Sequence, residues 1–293
     1  MLYETDTGKT IVCSNATGPV FKVFDSASSP YDLDATNTTT VRPLFHFDAA
    51  MWNGIDATGN PSDSTTLDEN YQWTDRAHGK TTVGQTTAAD QPVYMTGGEN
   101  SQPYLDCDTG DLLFLSEPQG IHGNYSTIST ALDGTFTLFG VAKGSALQKI
   151  SFVGGAISST LLGNKNPYFS HSSTADYLFF GHANPVNGVH PTIGHDGSTS
   201  YAVTRSWIIP RDSSNNTSIY VDGDNTASAG GGGWGPSTTS ELLVFVQLLD
   251  GATYAMIGEF YEVAVWDSDL STADRNALGA YVVAKYAIGF DDF

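Results

Sequence analysis

Three groups of residues in this 293-residue chain have types and spacings that could do chemistry. The first is a pair of carboxylates, Glu259 and Glu262. Two carboxylates flanking a glycosidic bond are the machinery of most glycoside hydrolysis, one donating a proton and the other acting as base or nucleophile. These two lie in Gly-Glu-Phe-Tyr-Glu-Val-Ala-Val-Trp, whose alternation predicts a strand. Phe260, Glu262, Ala264 and Trp266 would face one way, and Tyr261, Val263 and Val265 the other. Three residues apart, the carboxylates point to opposite faces, and one site could take both only with a bulge. Glu262 is expected instead to accept backbone or tyrosine hydrogen bonds where this strand meets the following helix. No catalytic residue is assigned, and the chain is read as non-enzymatic.

The second group is acidic. Asp106 and Asp108 are spaced by two, so both project to one face of a strand, and Asp222 and Asp224 flank Gly223 at a strand end. Hard cations take such oxygen clusters, so these four are the candidate metal ligands, with calcium the cation they would suit; the alternative is ordinary acidic turn residues with no cofactor. His171, His182, His190 and His195 have spacings of 11, 8 and 5, which fit no common ligand pattern. Cys13 and Cys107 are read as free thiols.

The third group is aromatic. Trp52, Tyr71, Tyr168 and Trp234 stand in or near polar loops. Aromatic faces stack on the CH groups of sugars while neighbouring Asn and Asp bind hydroxyls, so these four are the candidate ligand-binding residues. Trp73 is expected in the core.

Many short strands must position these groups. Hydrophobic residues make up 40% of the chain, and the 31 glycines with abundant Ser, Thr, Asn and Asp supply turns. Only the C-terminal end carries a convincing helical period. Ser271 reads as an N-cap with Asp274 in the first turn, Leu278, Tyr281, Val282 and Lys285 form a stripe, and Gly289 is the expected C-cap. Thr5-Asp6-Thr7-Gly8-Lys9 predicts a hairpin, with Val20–Phe24 as a third strand. Residues 25–40 read as a linker, while 53–70 and 164–200 read as irregular. The net charge of −20 opposes nucleic-acid backbones and anionic membranes. No apolar run is long enough for membrane insertion, and the first residues do not have the form of a signal peptide.

The C-terminal strand and helix resemble the closing segment of laminin-G-like, concanavalin A-type jelly-roll domains of bacterial and phage surface proteins. Gly258, Glu262, Val263, Val265, Trp266, Asp267, Leu270, Ser271, Asp274, Arg275, Lys285, Tyr286 and Ile288 carry the likeness, although Ile288 precedes Gly289 where the family has the reverse order. Phe45-His46-Phe47-Asp48-Ala49, Trp73-Thr74-Asp75-Arg76, Gln91–Tyr94, Thr135–Phe139 and Ile219–Gly223 match in order. Glu4 to Lys9 resembles a β-unit of phage tail and virion proteins, with Thr10-Ile11 where an aromatic is usual.

The resemblance implies an all-β, concanavalin A-like (laminin-G-like) jelly-roll sandwich over 41–293, with a β-hairpin anchor and linker over 1–40. It implies a bacteriophage virion structural protein, a capsid decoration or tail-fibre protein made in the host cytoplasm and displayed on the virion surface. Its expected partners are capsid or tail proteins, copies of itself and host-surface glycans. The alternative is a bacterial carbohydrate-binding adhesin module or, behind it, a polysaccharide-degrading enzyme.

Overall fold

The computed structural model describes residues 43–50, 61–66, 73–74, 91–108, 134–144, 202–214, 216–229 and 257–293. It also describes, as strands, 2–4, 10–14, 20–24, 82–84, 113–115, 154–155, 167–172, 177–182, 192–194 and 242–245. The architecture is mostly antiparallel β-sheet with one C-terminal helix.

A nine-stranded sheet holds the site. Its path runs β18 (Asp224–Ala229), β17 (Thr217–Val221), β16 (Arg205–Arg211), β11 (Phe136–Gly144), β20 (Gly258–Trp266), β9 (Tyr104–Cys107), β8 (Val93–Met95) and β5 (Thr65–Thr66). The ninth strand, β4 (Phe45–Asp48), also pairs with β20. One edge of β20 is therefore shared, by β9 opposite Gly258–Phe260 and by β4 opposite Glu262–Val265. Tyr261 sits at the changeover, where its carbonyl accepts from the Ala49 amide at 2.9 Å.

The same residue is a β-bulge. Val141 pairs with Glu262 but Ala142 pairs with Phe260, so Tyr261 is the extra residue in β20. The expected alternation is corrected here. Tyr261 lies with Ala264 and Trp266 in the cluster beneath the helix. Phe260 turns to the other face, where its ring meets Trp73, and Trp73 in turn meets Phe47, the cross-strand partner of Val263. Trp73 belongs to β6 (Trp73–Thr74), in a five-stranded sheet with β7 (Thr82–Gly84), β10 (Leu113–Leu115), β19 (Leu242–Phe245) and β12 (Gly154–Gly155). The fully buried Phe45, Phe47, Trp73 and Phe260 thus form the aromatic layer between the sheets.

Near its start β20 needs glycine. Gly258 has φ +139, and a Cβ there would lie 2.1 Å from the Lys143 carbonyl oxygen, too close for any other residue.

Helix α1 (Thr272–Tyr286) covers the outer face of the large sheet. Its start is a capping box: Ser271 accepts from the Asp274 amide, and the Asp274 carboxylate accepts from Ser271. Ser271→Ala is expected to cost about 0.5–2 kcal/mol of stability in denaturant unfolding, because the Asp274 amide loses its acceptor and the Asp274 carboxylate loses the Ser271 hydroxyl. Leu278, Tyr281 and Val282 bury against Phe139, Val141 and Ile208, as the stripe predicted. The C-cap is Ala287, left-handed at φ 56 with its amide on the Val283 carbonyl, and not Gly289. The tail then folds back over β17. Phe290 packs on Gly279, Phe293 lies edge-on to Tyr220, and Arg275 lies over both Tyr220 and Phe293.

Two further small sheets complete the description. Strands β1 (Leu2–Glu4), β2 (Thr10–Ser14) and β3 (Val20–Phe24) form an antiparallel sheet, in the segments the sequence predicted. Strands β13 (Pro167–Ser172), β14 (Tyr177–His182) and β15 (Thr192–Gly194) form another inside the region read as irregular. There the continuous apolar run Tyr177-Leu178-Phe179-Phe180 outweighs the flanking Asn, Gly and Pro. The linker 25–40 lies outside the described residues. Among the described residues no helix is long and apolar enough to cross a membrane.

Candidate functional site

The bulge decides where the carboxylates go. Glu259 and Glu262 share the helix-covered face of the sheet, contrary to the expectation for a regular strand. The Tyr261 hydroxyl donates to Glu259 Oε2 at 2.5 Å, and the hydroxyls of Tyr281 and Tyr286, on α1, donate to Glu262.

Glu262 is the centre of a buried polar cluster. Its carboxylate accepts from Tyr281 Oη at 2.8 and 2.9 Å, from Tyr286 Oη at 2.6 Å and from Lys285 Nζ at 2.9 Å, and it meets His46 Nε2 at 2.5 Å. Lys285 also reaches Asp48 Oδ1 at 2.8 Å, and its ammonium lies about equally over the rings of Tyr281 and Tyr286. Each position follows from local structure. His46 and Asp48 are two apart on β4, so both face α1. Tyr281 and Lys285 are four apart on the helix, so they stack on one face. Asp48 ties the cluster to the inner core, because its carbonyl accepts from Trp73 Nε1 at 3.1 Å.

The electrostatics follow. Burial alone would raise the Glu262 carboxyl, but the charges of Lys285 and His46 and the hydrogen bonds of His46 and Tyr286 outweigh it and hold it well below the usual carboxylate range. Burial and the neighbouring Glu262 charge push the Tyr286 phenol well above its ordinary value. A general acid needs a raised carboxyl and access to substrate. Glu262 is shifted the other way and is fully buried.

Glu259 lies nearer the surface. Lys143 Nζ meets it at 2.5 Å, and Tyr261 joins it to the turn at 98–102 by accepting from the Glu99 amide. Thr204 donates to Glu99 Oε2 at 2.9 Å, which extends the polar strip to the start of β16. Neither carboxylate is arranged as a hydrolytic pair: one is enclosed under the helix, and the other is held by a lysine and a phenol.

One ligand atom each from His46, Asp48 and Glu262 falls within 4.8 Å of the others. Lys285 Nζ bonds both carboxylates, so the chain supplies the cation between them itself. The donor set therefore does not fit a metal ion.

The acidic residues expected to bind calcium fall in two places, the end of β9 and the turn between β17 and β18. Asp222 and Gly223, at φ 51 and 93, form the two-residue turn between the paired Val221 and Asp224. The Asp222 carboxylate turns back to accept from Arg205 Nη1 at 2.6 Å and from the Ser206 amide and hydroxyl, while Asp224 is exposed. This corrects the Asp222–Asp224 pair, whose first carboxylate fastens the hairpin. Asp106 and Asp108 are exposed at the end of β9. Burial and the charges of Glu259 and Asp108 raise the Asp106 carboxyl. Trp52, Tyr71 and Trp234 lie outside the described residues, as does the side chain of Tyr168 on β13. Cys107 is buried, and its sulfur donates to the Leu105 carbonyl at 3.7 Å.

The sequence reading identified the role of Glu262 but missed His46, Asp48 and Lys285. The available signal was two polar residues alternating with Phe45 and Phe47 in a strand otherwise fit for the core.

No protein-family model matches the chain, and no curated protein sequence does. Among solved structures it is similar to Trypanosoma rangeli sialidase in complex with sialic acid, at 13% identity and TM-score 0.46, over 86% of this chain and 34% of that one. It is also similar to the Ruminococcus gnavus IT-sialidase CBM40 bound to α2,3-sialyllactose, at 12% identity and TM-score 0.43, over 58% of this chain and 96% of that one. The chain spans about a third of the length of the sialidases it matches. These similarities are to a sialidase and a carbohydrate-binding module and not to virion proteins. The expectation of a bacteriophage virion structural protein is corrected on that ground, and with it the capsid and tail partners.

Proposed function

We propose that the chain is a non-catalytic carbohydrate-recognition module built on a laminin-G-like, concanavalin A-type jelly roll. The observation that carries this reading is the fate of the residues best suited to catalysis. Glu262, His46, Asp48 and Lys285 are drawn into a closed clamp between helix and sheet, and all four are buried or nearly so. A group that is enclosed and held ionised stabilises a scaffold and cannot reach a substrate. The jelly roll is then a rigid platform, and recognition belongs to its loops. The aromatic residues in polar loop sequence, Trp52, Tyr71 and Trp234, with Tyr168, are the stacking residues of that reading.

The test is a glycan array of neutral, anionic and sialylated oligosaccharides, probed with the intact chain with and without calcium. The same oligosaccharides are incubated with the protein and assayed for new reducing ends. Binding without turnover is expected, with loss of binding in Trp52→Ala or Trp234→Ala and retention of the native melting curve. New reducing ends, or no binding across the panel, would overturn the reading.

A further inference from the structure

We propose that the segment 289–293 is a latch that opens and closes as a unit, and that its docking ties helix α1 to the turn between β17 and β18. The seat for this segment is built from both elements. Gly279 lies inside α1, where glycine costs stability relative to alanine, yet a Cβ there would come within 2.2 Å of the Phe290 ring. Gly223, in the turn, would place a Cβ 1.8 Å from the Asp291 carbonyl oxygen. Two residues without side chains thus open the space that the segment fills. Its backbone is caught at two points. The Asp291 amide donates to the Asp222 carbonyl at 2.9 Å, and the Phe293 amide donates to Asn276 Oδ1 at 2.8 Å. The Phe293 ring stands 4.4 Å from that of Tyr220, and the Arg275 guanidinium lies over both.

A hinge precedes the seat. Ala287 is left-handed, Ala287 and Gly289 are exposed, and a Cβ on Gly289 would meet nothing within 4 Å. Two half-buried phenylalanine rings and two hydrogen bonds hold the segment, against the entropy of ordering its backbone. Opposing terms of this kind give local opening without global unfolding.

What the latch holds extends past its own contacts. Asp222 donates its amide to the Ser206 carbonyl at 3.0 Å, and its carboxylate accepts from Arg205 and Ser206 at the start of β16. The preceding residue, Thr204, donates to Glu99, and Asn100 Nδ2 donates to the Lys285 carbonyl at 2.9 Å. Docked, the segment therefore closes a circuit of contacts. It runs from α1 through the turn at 98–102, the start of β16 and the β17–β18 turn, and back to α1. Opened, the segment leaves the circuit broken at the β17–β18 turn.

Native-state hydrogen exchange of the full chain, resolved by residue, tests the latch. The amides of Asp291 and Phe293 are expected to exchange through one shared opening, at denaturant concentrations where those of β20 stay protected. Phe290→Ala should speed that exchange, and the exchange of the Asp222 amide with it, by roughly tenfold, because a half-buried ring is lost. Gly279→Ala should act in the same direction although alanine favours the helix, because its methyl takes the place of the ring. Asn100→Ala, on the far side of the circuit, should speed the Asp222 amide too. Combined with Phe290→Ala it should give less than the product of the two effects, because one circuit is broken twice. Exchange of the Asp291 amide only through global unfolding would overturn the proposal. So would an Asp222 amide untouched by Phe290→Ala, or effects that simply multiply in the double variant. If a variant does not fold, the exchange pattern of the native protein settles the point.

Discussion

Glu262→Ala is expected to lower the unfolding free energy by about 3–5 kcal/mol, the cost of breaking a buried ionic network from one side. The reason lies in what remains. Lys285 would keep Asp48, but His46 and the hydroxyls of Tyr281 and Tyr286 would lose the carboxylate they share. Each stranded group costs a desolvation penalty that the carboxylate had offset. Urea unfolding at pH 7 measures the loss, and a change below about 1 kcal/mol would remove the cluster from any role in stability. Acid should imitate the mutation. The folded-state carboxyl is depressed from 4.5, so its stabilising contribution is complete above about pH 4.5 and shrinks as pH falls below it. Glu262→Ala should accordingly flatten the acid limb of the stability profile.

Leu278→Ala should cost about 2–5 kcal/mol, the range for emptying a buried leucine site. Leu278 is fully buried, in a layer with Phe139, Val141 and Val282. The polar clamp beside it keeps the helix at its distance from the sheet, so the space left by the missing carbons cannot close easily. Val283 supplies the control. It lies on the same helix and is 47% exposed, so Val283→Ala should stay within about 0.5 kcal/mol. A melting curve for Leu278→Ala that overlays the native one would show that the helix contributes little to the domain.

The terminal helix was legible in the sequence because its signals are local. Ser271, Asp274 and the stripe from Leu278 to Lys285 fix its start and its buried face without reference to distant residues. The strand at 45–48 was legible through the family likeness of Phe45–Ala49, and the strand end at Asp222–Gly223 through its own residues. The polar cluster was only half legible. The expectation that Glu262 accepts tyrosine hydrogen bonds at the helix junction agrees with Tyr281 and Tyr286. His46 is 216 residues away from Glu262, and nothing local announces that β4 will lie beside β20. The bulge was illegible because alternation counts residues and has no view of pairing. The structural role of the Asp222 carboxylate was illegible because its partners, Arg205 and Ser206, lie on the neighbouring strand β16.

The extra residue at Tyr261 divides β20 into two halves of opposite phase. Ahead of it the odd-numbered side chain of Glu259 looks toward the helix side, and beyond it the even-numbered ones do. Because Val141 and Ala142 already pair with Glu262 and Phe260, deleting this one residue would restore regular alternation and leave every neighbouring side chain on the face it now occupies. Phe260 would stay in the aromatic layer, and what would be lost is the Tyr261 hydroxyl that joins Glu259 to the turn at 98–102. For kindred sequences, an alignment that slides a gap by a single column here would equate core with surface. Parity along this strand, more than identity at any one column, is the property by which a relative with the same interior would be recognised.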